Sequence, residues 1–369
     1  MLPFSTQVKS KGIAKQTNWS LWCKAMTSLC ILVTFVSYNT CKAPVEISTT
    51  VESEKGISSE AKRISSEVLP VWSQVDETHY GYMHHVYEGC GDLCVLGGGI
   101  MSPGPFFQHR SVNVNCPAIF SASVYLDRGH NQAKAPPDIP EIFRKDFSMG
   151  GVIAFEKYYF TQETYVGGTM GTWTEKRVND EIAQAREGKL HGTYSISETN
   201  ALRDALQHHS SGVKNGRVLV IGSEIPWVEV CALEAGAREV LTLEYGKIIS
   251  EHPQIKTMQP KDFRESYHAG VLGKFDAVVT FSSIEHSGLG RYGDALNPWG
   301  DVLEIARSWC VTKKGGSLII GVMYAPNGDR LQFNAHRLYG PTRYPYLTSN
   351  WKQVYKGLGT QKVHVFHRK

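Results

Sequence analysis

Residues 217–244 constrain the fold most. There an apolar run, a glycine, a helix-length stretch closed by glycine and a second apolar run ending in an acid follow one another. Arg217-Val218-Leu219-Val220-Ile221-Gly222 is continuously apolar rather than alternating, as a strand covered on both faces requires. Trp227 to Gly236 predicts a helix, and Glu239-Val240-Leu241-Thr242-Leu243-Glu244 predicts a strand whose terminal acid stands 22 residues after Gly222. Strand, turn, helix, strand and acid at that spacing open a nucleotide-binding half of a doubly wound sheet, in which the acid accepts hydrogen bonds from ribose hydroxyls. A buried strand at Phe275–Phe281, a helix from Trp299 to Trp309 and a strand within 314–322 extend the alternation. Lys362-Val363-His364-Val365-Phe366 reads as the last strand.

This ordered set, over residues 217–325, resembles the class I S-adenosylmethionine-dependent methyltransferases. Phe-Asp-Ala-Val-Val-Thr-Phe-Ser-Ser-Ile-Glu-His at 275–286 is similar to that family's fourth-strand segment, and Lys-Gly-Gly-Ser-Leu-Ile-Ile-Gly at 314–321 to its fifth-strand entry. More narrowly, the whole chain resembles a nematode family of unknown function whose tail holds a segment like Phe-Asn-Ala-His-Arg-Leu-Tyr-Gly at 333–340. The implied fold class is α/β, a Rossmann-like sheet with helices on both faces, and the implied cofactor is S-adenosylmethionine. The resemblance places Gly222 and Ser223 against the cofactor's methionine portion, Glu244 on its ribose and Asp262 at the adenine amino group. It lines the cleft with Ser282 and Ser283. The methyltransferase turn is usually Gly-x-Gly-x-Gly, whereas this chain reads Gly222-Ser223-Glu224-Ile225-Pro226. Glu224 either pairs with the cofactor's ammonium or obstructs the cleft, and Pro226 suits the first position of the following helix.

Glu285 and His286 fall at the carboxyl end of the fourth strand, the edge where open α/β sheets bind ligands. A histidine there serves as a general base or orders its loop by hydrogen bonds. His336, with Arg337, Tyr339 and Arg343, lies after the fifth strand in a loop rich in Asn, Gly and Pro. That cluster reads as a cap over an anionic or sugar-like acceptor, or as a polar brace between the sheet and the last strand. Trp299, Trp309 and Trp351 read as packing residues.

Upstream, residues 70–210 form an accessory α+β region rich in glycine and aromatics, followed by the sheet domain at 211–369. Strand is expected within 152–160, a loop at Gly167-Gly168-Thr169-Met170-Gly171, and helices at 179–190 and 197–209 with Ser197 as a cap. Gly97-Gly98-Gly99 lacks the strand–loop–helix context and Lys-Ser/Thr ending of a phosphate loop and reads as a turn. Residues 25–41 are an uncharged run behind a tail, 1–24, that carries Lys9, Lys11, Lys15 and Lys24; a polar stalk at 42–69 follows. Its length and flanks predict a single-pass signal anchor that sends the C-terminal part into the secretory lumen, Golgi or ER. A cleaved signal peptide, with secretion, is the other reading. The sequon Asn18-Trp19-Ser20 falls on the cytosolic side of that anchor.

Lys and Arg outnumber Asp and Glu by only 39 to 35 and are scattered beyond the N-terminus, which argues against a nucleic-acid footprint. Eight cysteines are too few for a disulfide-built scaffold; Cys90 and Cys94 read as a local bridge or free thiols rather than metal ligands, and no metal site is expected. Three functions fit: a membrane-anchored methyltransferase acting on a small molecule, glycan or lipid-linked acceptor; a non-catalytic methyltransferase fold that binds a protein partner; and a lumenal glycosyltransferase-like enzyme.

Overall fold

A computed structural model describes residues 80–97, 107–122, 135–158 and 169–369. The basic tail, the anchor expected at 25–41, the stalk at 42–69 and Gly98-Gly99 lie outside the described residues. Among the described residues no helix is long and apolar enough to cross a membrane. All of them fall within one unit, Ser65–Lys369.

The first strands are β1 (Ala154–Tyr158) and β2 (Thr169–Trp173). The sheet domain then runs β3 (Arg217–Ile221), β4 (Glu239–Leu243), β5 (Lys247–Ser250), β6 (Ile255–Met258), β7 (Phe275–Phe281) and β8 (Thr312–Gly321). It closes with β9 (Arg330–Asn334), β10 (His336–Leu338), β11 (Trp351–Tyr355) and β12 (Val363–Arg368). Seven strands form one sheet in the order β11-β12-β8-β7-β3-β4-β6. β6, β4, β3, β7 and β8 are mutually parallel, while β12 runs antiparallel to both β8 and β11. The order reverses between β3 and β7, which puts the topological switch point of a doubly wound sheet there. This is an α/β, methyltransferase-like architecture.

The continuous apolar runs are explained by what covers each face. Val218 and Val220 pack into one buried cluster with Val240, Val279 and Ile319, while Leu219 and Ile221 enter a second with Leu241, Val278 and Leu318. Successive side chains of a strand point to opposite faces, so a strand with helices on both sides needs apolar residues at every position. Each such fully buried side chain contributes about 1.5–3 kcal/mol.

Helices cover the sheet where the sequence expected them at α6 (Trp227–Glu234) and α8 (Gly300–Val311), and a further helix not expected from the sequence, α7 (Pro260–His268), lies between them in the chain. Before them come α1 (Tyr82–Cys90), α2 (Cys116–Ala122), α3 (Glu141–Phe147), α4 (Glu175–Arg186) and α5 (Ile196–Asp204); after them comes α9 (Tyr344–Leu347). α4 starts four residues before the expected 179 because Thr174 caps it, accepting from the Arg177 N–H at 3.2 Å. α5 is capped by Ser195 rather than Ser197: its extended backbone lets Oγ accept from the Glu198 N–H at 3.2 Å. A π-helical turn, Ala205–His209, ends it, and His209 stacks on Tyr355 with ring centroids 3.5 Å apart. His209 also lies 3.3 Å from the Asp204 carboxylate.

The accessory residues share strands and core with the sheet domain. β1 pairs in parallel with β9, and β2 with β5. Thr169–Gly171, the end of the loop expected at 167–171, therefore belongs to a strand, with a register shift at Gly171 whose φ is +122°. The segment around His336, also expected as loop, is the β9–β10 hairpin, fixed because Leu331 and Phe333 bury into a third core with Phe143, Phe147, Trp299 and Leu303. Two disulfides add covalent ties: Cys90–Cys94 within one turn of chain, and Cys116–Cys310, which joins α2 to α8 across a separation of 194 residues.

Candidate functional site

A cavity of about 420 Å³ opens at the carboxyl edge of the sheet, beside the β3–β7 switch point. Its volume lies within the range of small-molecule sites. The turn after β3 supplies Gly222, Ser223 and Glu224, the end of β4 supplies Glu244, and the segment after β7 supplies Ser282, Ser283, Glu285 and His286; His336 of β10 joins them. Asp262, assigned to an adenine contact by the resemblance, is not among the lining residues: it is exposed in the first turn of α7. Helical phase accounts for this, because Phe263 takes the buried face of that helix.

Gly222 adopts φ +73°, and a Cβ built there would sit 1.8 Å from Ser283 Oγ, so only glycine permits this approach of the two loops. Its N–H donates to the Leu243 carbonyl at 3.0 Å, which ties the turn to β4. Pro226 occupies the N-cap position of α6, one residue earlier than expected, and Glu224 is exposed beside the cavity. Glu244 receives the Ser223 N–H at 2.9 Å and the Tyr245 N–H at 2.6 Å. Burial pushes its carboxyl above the usual range, and those backbone donors pull back against that.

On the β7 side, Ser282 takes a left-handed backbone, φ +49°, and donates to Glu285 Oε1 at 3.0 Å. Glu285 is fully buried, and its Oε2 has no hydrogen-bond partner among the described residues. Burial raises its carboxyl to about 7. His286 Nδ1 lies 2.7 Å from the Ala335 carbonyl, which makes Nδ1 the protonated nitrogen and leaves the lone pair on Nε2. Burial, reinforced by Arg291, lowers His286 to about 3, so the ring is neutral at ordinary pH. His336 stands beside it, ring centroids 6.0 Å apart, and is lowered by burial and Arg291 in the same way.

Arg337 and Arg343 are braces rather than a substrate cap. Both are buried on Asp301 of α8: Arg343 donates to Oδ1 at 2.6 Å and Oδ2 at 2.8 Å, and Arg337 lies 3.6 Å from Oδ2. Tyr339 donates to the same carboxylate at 2.8 Å. Arg337 also donates to the Ser287 carbonyl at 2.6 Å and so locates the loop that carries Glu285 and His286. Trp299 and Trp351 are buried, as expected of packing residues.

Sequence reasoning missed Tyr194, Arg291 and Gln361, which line the cavity, and Glu229, which lies behind it. Only Glu229 left a signal. It is a single acid within Trp-Val-Glu-Val-Cys-Ala-Leu, an otherwise apolar helix, and a charge in that setting calls for a partner.

Among solved structures, the 1,6-didemethyltoxoflavin-N1-methyltransferase of Burkholderia thailandensis, with 1,6-didemethyltoxoflavin and S-adenosylhomocysteine bound, is 13% identical at a TM-score of 0.35. The match covers 52% of this chain and 87% of that one. TehB from Haemophilus influenzae is 12% identical at a TM-score of 0.31, covering 51% and 67%. TrmN from Thermus thermophilus is 12% identical at 0.28, covering 53% of each. The fold assignment itself rests on the strand order and directions. Comparison with curated protein sequences gives no match. Residues 214–367 match the family described as Caenorhabditis protein of unknown function, DUF268. The chain is thus similar, over residues 214–367, to this nematode family of unknown function, and those residues fold as a methyltransferase-like α/β sheet domain.

Proposed function

We propose that the protein binds S-adenosylmethionine in the cavity at the β3–β7 switch point and transfers its methyl group to an acceptor. The observation that carries this reading is the meeting, in one cavity, of Gly222 and Glu244 with Glu285 and His286. The residues present fit such a cofactor: Glu244 stands where ribose hydroxyls would be held, and exposed Glu224 leaves the turn open and offers a carboxylate to an ammonium. When bound, S-adenosylmethionine supplies a methyl group already activated by its sulfonium.

The chain's own work is then positional and protonic. Glu285, raised by burial to about 7, turns toward the cavity an Oε2 that has no side-chain partner among the described residues and so can exchange a proton with a bound molecule. His286, neutral and anchored through Nδ1, presents Nε2 as the proton acceptor for a nucleophile, and His336 flanks it. Exclusion of water by the buried Trp227 and Phe281 at the wall strengthens these interactions.

The compartment is part of the proposal. The bridges Cys90–Cys94 and Cys116–Cys310 favour an oxidising environment, which supports placing residues 80–369 in the secretory lumen behind an anchor at 25–41. The acceptor class consistent with that place is a small molecule, a glycan or a lipid-linked molecule.

The test is calorimetric titration of the full-length protein with S-adenosylhomocysteine, beside Glu244→Ala. Micromolar binding, weakened at least about tenfold by the substitution, is expected. A folded protein with no affinity for the ligand overturns the reading and favours the non-catalytic binding module, to which the Glu224 and Pro226 departures would then belong.

A further inference from the structure

Behind the turn that carries Gly222 and Ser223 lies Glu229, in the first turn of α6 and wholly shielded from solvent. Its Oε1 is 2.8 Å from Thr242 Oγ1, and its Oε2 is 3.0 Å from Ser223 Oγ. Ser223 Oγ also lies 2.9 Å from the carbonyl oxygen of Ile225. A carbonyl only accepts, and a hydroxyl has one proton to give. The one Ser223 proton cannot fill both contacts: when it lies on Ile225, the proton in the Glu229–Ser223 contact comes from Glu229. Thr242, with its own proton, fills Oε1. Were Glu229 ionised, Ile225 and Oε2 would compete for the single Ser223 proton, and one of these two close oxygen–oxygen contacts would hold no proton, although the Ile225 carbonyl also accepts the Trp227 N–H at 2.9 Å.

We propose that Glu229 is a positioning residue, a neutral acid that donates its carboxyl proton to Ser223 Oγ and thereby holds the 222–226 turn in its ligand-binding shape. The same serine gives its backbone N–H to Glu244, so the clamp reaches the wall of the cavity through one residue. It also accounts for a turn that works without the usual second and third glycines: side-chain bonds fix a backbone that Glu224 and Pro226 would otherwise leave to other conformations.

The surroundings agree. Burial pushes the Glu229 carboxyl up to about 7, and the charge of Glu244 at the end of β4 pushes the same way. Cys231 on the same helix couples to it and is itself raised by burial; Arg203 of α5, Glu181 of α4 and Glu234 of α6 act on that thiol. Loss of the Glu229 proton turns the Ser223 hydroxyl toward Oε2, leaves the Ile225 carbonyl to the Trp227 N–H alone and loosens the turn.

The proton assignment stands without a ligand; its effect on affinity rests on the proposed cofactor site. Two measurements on the full-length protein separate them. The first is a pH titration of glutamate carboxyl 13C resonances without ligand, the Glu229 signal being the one absent from Glu229→Gln. It should titrate near 7 rather than in the usual range around 4.3. The second is S-adenosylhomocysteine binding at about pH 6 and about pH 8.5, where wild-type affinity should fall about tenfold with rising pH. Glu229→Ala should weaken binding about tenfold at the lower pH. Glu229→Gln should rescue it and flatten the pH dependence, since its amide donates to Ser223 and accepts from Thr242 at every pH. A Glu229 carboxyl that titrates in the usual range, or a Gln variant as weak as the Ala variant, overturns the proposal. If the ligand binds at no pH, the cofactor reading fails while the carboxyl titration still decides the clamp. The titration needs only the Gln variant, so a misfolded Ala variant would not blunt it.

Discussion

Asp301→Asn tests the brace beneath the site. Asp301 is buried in the first turn of α8, where it receives Arg343 through Nε at 2.8 Å and Nη2 at 2.6 Å, and Tyr339 at 2.8 Å. The amide keeps the side chain's shape but removes its charge, leaving the guanidinium groups of Arg337 and Arg343 buried without a counter-ion. Breaking a buried pair in this way costs about 3–5 kcal/mol. For a domain of this size, that corresponds to a fall in Tm of roughly 10 °C. The assay is urea unfolding followed by circular dichroism, with the midpoint and slope both fitted. The pH dependence supplies an internal check. Burial alone would raise the Asp301 carboxyl, but Arg337 and Arg343 outweigh it and hold it below the usual range. A depressed carboxyl contributes stability above its unfolded value, and that contribution is lost as pH falls through the folded one. The gap between wild type and variant should therefore be full near about pH 7 and shrink only below about pH 4. Adding Arg337→Met to the variant should recover part of the loss, because it removes one of the two stranded charges. A loss under about 1 kcal/mol, or a gap undiminished near about pH 3, would refute the electrostatic account.

Two further outcomes follow from the covalent ties and the site histidine. The Cys116–Cys310 bridge closes a loop of 194 residues, for which chain entropy gives about 5 kcal/mol. Paired serine substitution there should lower stability far more than the same change at Cys90 and Cys94, a comparison read from thermal unfolding under non-reducing conditions. For His286, 15N spectra of the histidine rings should show an Nδ1–H tautomer that does not titrate above about pH 4, since burial lowers the group to about 3. A ring that protonates near about 6.5 would remove it as an anchored proton acceptor.

How much of the site the sequence carried depends on whether a residue's role is local. β3, α6, β4, β7 and β8 were legible because a strand covered on both faces must be apolar at every position, and glycine and acid mark its ends. Gly222, Ser223, Glu244, Ser282, Ser283, Glu285 and His286 follow from those strand ends, since parallel strands deliver their carboxyl termini to one edge. The turn residues Glu224 and Pro226 told of a departure without telling its shape.

Long-range pairing lay beyond the sequence. Nothing local sets Cys116 against Cys310, β1 beside β9, or Arg337 and Arg343 on Asp301, because those partners are 194, about 176 and about 40 residues apart in the chain and meet only when the cores close. Asp262 failed for the same reason in reverse: its position in the chain suggested a contact that the phase of α7 turns toward solvent. The sequence by itself determined the sheet and the edge that bears the cavity, through periodicity and strand ends. Only the tertiary structure decided which buried polar groups share which proton, because a hydrogen bond is a matter of distance between atoms that the chain order does not specify.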